Sequence, residues 1–102
     1  MTSNFDSKER ILTMHPQGKS GVNILRNKYK QVKDALIAIL KEQGNLTFTQ
    51  LGDEMEKALA GKFEGKIMWY YTTVKLDLEA RGIVERVGKR SPQKIRLIES
   101  RV

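Results

Sequence analysis

The chain of 102 residues has no cysteine, so it forms no disulfide and no thiolate metal site. It has one histidine, His15, so a histidine-built metal centre or a base–nucleophile pair would rest on a single residue. It has only two prolines, no internal repeat and no low-complexity tract. No apolar run approaches the roughly 20 residues that cross a bilayer. The first ten residues are polar and mixed in charge, without the apolar stretch of a secretory signal. The expected location is the cytoplasm. Neither a cofactor nor a small-molecule substrate is expected.

Acidic residues are scarcer than basic ones. Twelve Asp and Glu stand against nineteen Lys and Arg, a net charge of +7. That balance is the electrostatic footprint of a nucleic-acid binder, and it also keeps many unrelated proteins in solution. The length fits one domain with a modest core. With 39% hydrophobic and 30% charged residues, the composition describes a globular chain with a well-charged surface.

Residues 1–24 read as an arm, because Pro16, Gly18 and Gly21 interrupt any periodicity. A short amphipathic helix within it would run through Phe5, Ile11, Leu12 and Met14. Residues 25–102 read as the folded domain. Asn27 is a good N-cap for a first helix, along which Tyr29, Val32, Leu36, Ile39 and Leu40 form one apolar stripe up to Gly44. Thr47 and Gln50 have capping-box spacing for a second helix with Phe48, Leu51, Met55 and Leu59 on one face. The turn Gly61-Lys62-Phe63-Glu64-Gly65 separates it from a third helix over 66–81, whose stripe is Ile67, Tyr71, Val74 and Leu78. The period then changes. Residues 83–87 are rich in β-branched side chains, 88–92 carry turn chemistry, and 93–98 alternate, which together predict a β-hairpin with a basic tip. The fold class is therefore α+β, mainly α: three helices and a C-terminal hairpin, with helices two and three arranged as in a helix-turn-helix.

The stretch from Thr73 to Arg86 resembles the end of the recognition helix and the first wing strand of winged helix-turn-helix regulators. The pattern is carried by Leu78, Gly82, Ile83, Val84, Glu85 and Arg86. Leu78 closes the core, Gly82 leaves the helix through positive φ, and the two aliphatics enter a sheet. The chain is also similar to small bacterial proteins without assigned activity. They share a Pro-x-Gly-Lys-x-Gly segment like 16–21 and a Tyr-x-Thr-Thr-Val-Lys-Leu-Asp-Leu-Glu helix like 70–79.

The winged-helix resemblance implies double-stranded DNA as partner, with the third helix in the major groove and the wing on the backbone. Donors from the helix would be Lys66, Tyr70, Thr72, Thr73 and Lys75. The wing would offer Lys89, Arg90, Lys94 and Arg96. Charge by segment agrees: residues 83–102 carry six basic and two acidic residues, whereas 44–65 carry two basic and four acidic. The bland counterpart is a solvated hairpin edge that charge protects from strand pairing.

One face argues against simple groove binding. Opposite its core stripe the third helix carries Trp69, Leu76 and Ala80. Exposed Trp and Leu suit a protein interface, so the alternative is an interaction or dimerisation module on the same fold. Three occupants fit that face: the arm folding back, a second copy in a homodimer, or a base or sugar stacked on Trp69. Gly18-Lys19-Ser20 lacks the earlier glycine of a phosphate loop, since that position is Thr13. Asp53, Glu54 and Glu56 point in different directions on a helix and read as a solvated face. No catalytic constellation emerges, and no enzymatic activity is expected.

Overall fold

The helical stripes organise the molecule. The structure, a computed structural model, describes residues 9–98. Strands β1 (Arg10–Leu12) and β2 (Asn23–Leu25) lead into helix α1 (Arg26–Gln43). A short strand β3 (Leu46–Thr47) precedes α2 (Phe48–Leu59) and α3 (Ile67–Ala80), and strands β4 (Val84–Val87) and β5 (Lys94–Leu97) are the last elements of the described residues. It is an α+β fold of three helices and two small antiparallel sheets.

The predicted stripes meet at one centre. Val32 and Leu36 from α1, Leu51 and Met55 from α2, and Tyr71, Val74 and Leu78 from α3 are fully buried. Burial of each such aliphatic side chain contributes about 1.5–3 kcal/mol. Val84 and Ile95 seal the sheet side and Ile24 of β2 seals the other. The Tyr71 hydroxyl donates to the Phe48 carbonyl at 2.8 Å, so its burial leaves no polar group unpaired. Phe48, expected on the core face of α2, is instead 37% exposed and stacks on Tyr71 at 4.8 Å. It belongs to the first turn of α2, at the rim of the core.

Helix ends follow local chemistry. At α2 the capping box closes as expected: the Gln50 N–H donates to Thr47 Oγ1 at 3.1 Å, and the Thr47 N–H donates to Gln50 Oε1 at 3.0 Å. At the end of α3, Gly82 has φ 77°; its N–H donates to the Glu79 carbonyl, and the Ile83 N–H to that of Leu78. This is a Schellman closure, and it aims the chain into β4. The start of α1 differs from expectation. Asn27 lies inside the helix, Leu25 is the N-cap, and the Arg26 N–H donates to the Glu9 carbonyl at 2.8 Å. A neighbouring strand satisfies the helix start, so no side-chain cap is used.

The larger sheet has the order β3-β5-β4. β4 and β5 form the expected hairpin in the register Val84↔Leu97 to Val87↔Lys94. β3 joins the outer side of β5 through Leu46↔Ile95 and Thr47↔Lys94, a pairing absent from the sequence reading.

The expected arm is built into the fold. Ile11 pairs with Ile24 in a β1–β2 hairpin, so no helix forms over the described part of 5–14, and Phe5 lies outside the described residues. A helix that short forms poorly alone, whereas Ile11 and Leu12 find strand partners thirteen and eleven residues on. The boundary expected between 24 and 25 falls inside β2. Gly18-Lys19-Ser20 sits in the loop between two strands, unlike a phosphate loop. Thr13 is buried and doubly bonded: its N–H donates to the Val22 carbonyl, and its hydroxyl accepts the Val22 N–H, both at 2.9 Å. Gly21 lies so close that a Cβ there would stand 1.7 Å from the Thr13 carbonyl oxygen. Replacing Gly21 with Ala should therefore part the hairpin and cost about 2–3 kcal/mol in urea unfolding, while exposed Ser20→Ala should stay within about 0.5 kcal/mol. Equal stability of the two variants would contradict this packing.

Candidate nucleic-acid interface and the Asp77 junction

The residues expected to meet DNA separate into free and engaged groups. At the hairpin tip Lys89, Arg90 and Lys94 are exposed and form no ion pair among the described residues. Arg96 is paired with Glu85, its cross-strand partner in the register. Arg86 reaches Glu79 at 3.5 Å. Acidic partners thus hold the cations at the base of the hairpin and leave those at the tip unopposed.

On α3 the expectation needs correcting. Lys75 is only 8% exposed; its Nζ lies 2.9 Å from Glu79 Oε2 and 5.4 Å from the centre of the Phe48 ring. The side chain runs back between α3 and the start of α2, so it is unavailable to an external phosphate. The Thr72 hydroxyl donates to the Met68 carbonyl at 2.9 Å, a bond inside the helix. Thr73 is half-buried. Lys66, at the N-cap, is exposed. Tyr70 is half-buried, with Phe63 and Trp69 both edge-on to its ring at 5.0 and 4.9 Å. The outward face holds Trp69, 47% exposed, with Leu76 and Ala80 half-buried. The described part of the N-terminal segment leaves Trp69 open.

Helix α1, whose segment 25–43 carries five basic and two acidic residues, contributes a cation to the same side as the α2–α3 turn. Lys28 of α1 donates to the Glu64 carbonyl at 2.6 Å and lies over Phe63 and Tyr70 at 5.5 and 5.4 Å. Gln31 donates to the Lys62 carbonyl at 3.2 Å. These contacts dock the α2–α3 turn on α1 and set Lys28 against Phe63 and Tyr70. The docking depends on contacts between residues 31 and 36 apart in the chain.

A second feature positions α3. Asp77 is fully buried and accepts from three elements. The Met14 N–H of the β1–β2 loop donates to Oδ1 at 2.8 Å, and the Tyr29 hydroxyl of α1 donates to Oδ2 at 2.5 Å. Arg81 Nε donates to Oδ2 and Oδ1 at 2.8 and 3.0 Å. A buried carboxylate without partners would be costly; here every face of it is bonded. The Asp77 hydrogen bond holds the Arg81 guanidinium protonated beyond its ordinary range. Burial, then the hydrogen bond and charge of Asp77, push the Tyr29 hydroxyl well above its ordinary value of 10.0, and burial does the same to Tyr71.

Among the described residues no three His, Asp or Glu side chains gather as metal ligands, and no helix is long and apolar enough to cross a membrane. The class defined so far is a small basic α+β domain with a charged β-hairpin. The chain belongs to DUF6958, a family of unknown function, whose model matches residues 10–95 and so takes in both hairpins and all three helices. Neither a curated protein nor a solved structure matches it.

Two outcomes follow from the junction. Asp77→Ala orphans the Tyr29 hydroxyl and the Met14 amide and should cost about 3 kcal/mol in chemical denaturation; Tyr29→Phe should cost about 1–2. Because they share partners, the double variant should lose less than the sum. The pH dependence has a definite sign. Unfolded tyrosine ionises near 10.0, whereas native Tyr29 keeps its proton to higher pH. Its contribution is therefore complete below pH 10.0 and is lost as pH rises toward the native value. The stability gap between wild type and Tyr29→Phe should narrow between about pH 9 and 11. A gap that widens over that range would contradict the assignment.

Proposed function

We propose that this chain is a non-catalytic winged helix-turn-helix domain that binds double-stranded DNA in the cytoplasm, with a regulatory or accessory role in transcription. The reading is supported by the strand order β3-β5-β4, in which the strand between α1 and α2 pairs with the terminal hairpin and turns it into a wing beside α3. The observation that carries it is the placement of charge. Lys89, Arg90 and Lys94 stand free at the tip, while below them Arg96 is paired with Glu85 and Arg86 shares Glu79 with Lys75. Free cations that meet phosphates release counterions, and that release favours binding.

The role of α3 is narrower than the resemblance implies. Lys75 is withdrawn, and the outward face is mostly apolar. Lys66 is the exposed cation at the start of this element. The binding mode is therefore dominated by backbone phosphates, with little reading of base edges.

Fluorescence anisotropy with random-sequence duplexes at several salt concentrations tests this. Four contacts from Lys66, Lys89, Arg90 and Lys94 predict a log–log slope of about −3.6, and replacing the three wing cations with Ala should bring it to about −1. Affinities for unrelated duplexes should lie close together. Absence of binding to any duplex at low salt would overturn the proposal, and an unchanged slope in the triple variant would remove the wing from it.

A further inference from the structure

We propose that α3 pairs antiparallel with α3 of a second copy of this chain, about a two-fold axis, through Trp69, Thr73, Leu76 and Ala80. At 100° per residue these four positions fall within about 60° of one another, opposite the buried stripe of Ile67, Tyr71, Val74 and Leu78. None is charged, although the chain carries +7 and most of its surface therefore repels a copy of itself. Trp69 stands out from the surface, whereas Thr73, Leu76 and Ala80 are half-buried and form a lower floor beside it.

Spacing and size select the occupant. The intervals along the stripe are 4, 3 and 4, which read the same in both directions. A two-fold axis between positions 74 and 75 therefore sets Trp69 against the partner's Ala80 and Leu76 against the partner's Thr73. Each large side chain meets a small one, as an isologous interface requires. Ala80 and Thr73 let the helices approach to the 8–10 Å of packed pairs. The buried stripe of α3 has the same intervals, so it is the match of Trp69 to Ala80 and of Leu76 to Thr73 across the axis that selects a second copy. The interface of one helix pair is small, so the dimer forms reversibly with concentration.

Sedimentation equilibrium of the full chain without DNA, over a wide concentration range, tests the proposal independently of the nucleic-acid reading. Wild type should pass from monomer to twice that mass. Trp69→Glu, at an exposed position, should keep its helical circular dichroism and remain monomeric. Trp69→Ala alone and Ala80→Trp alone should each weaken association about tenfold or more. Combining them exchanges the large and small residues across the axis and should restore most of the lost affinity. A wild type that stays monomeric throughout, a dimer unchanged by Trp69→Glu, or a double variant no better than either single change would each overturn it.

Discussion

The buried carboxylate of Asp77 holds three elements in register. One side chain of α3 receives an amide from the β1–β2 loop, a hydroxyl from α1 and a guanidinium from its own helix. The apolar core would bring α1 and α3 together without it, since burial of aliphatic side chains is not directional. Hydrogen bonds to a buried charge are directional, and leaving one unmade is expensive. Asp77 thereby fixes how far α3 is rotated against α1, and so which of its faces points outward.

That rotation decides what the molecule presents. With Tyr71, Val74 and Leu78 inward and Asp77 toward the N-terminal hairpin, Trp69, Thr73, Leu76 and Ala80 are left outside. Lys75 falls on the other flank, where Phe48 and Glu79 enclose it. Its long stem packs while its amine finds a carboxylate, which makes it a structural lysine rather than a surface charge. The same economy acts on the wing. Glu85 takes up Arg96, and Glu79 is shared by Lys75 and Arg86, so the cations without any acidic partner on the hairpin are those at its far end. Surface cations and the apolar helix face are thus separate features, suited to a polyanion and to a matching helix.

Much of this architecture was legible in the residues because its signals are local. The apolar stripes of α1 and α3, the Thr47–Gln50 box, the Gly82 exit and the alternation through Ile95 and Leu97 each lie within one or two turns of chain. What was missed is tertiary. β3 has two residues and is recognisable only against β5. The hairpin of β1 and β2 hides behind Pro16, Gly18 and Gly21 and is secured by the close approach of Gly21 to Thr13. Asp77 looks like one half of a local i, i+4 pair with Arg81, since its other partners lie 48 and 63 residues away. The cluster of Lys28 with Phe63 and Tyr70 is invisible for the same reason.

If Asp77 unites the hairpin with the helices, the hairpin cannot open on its own. Native-state amide hydrogen exchange of the Met14 N–H tests this most directly, because that proton is donated to Asp77. The account predicts that it exchanges only as slowly as the amides around Val32 and Leu36 at the centre of α1, by unfolding of the whole domain. Exchange of Met14 as fast as the exposed loop around Lys19, with α1 still protected, would contradict it.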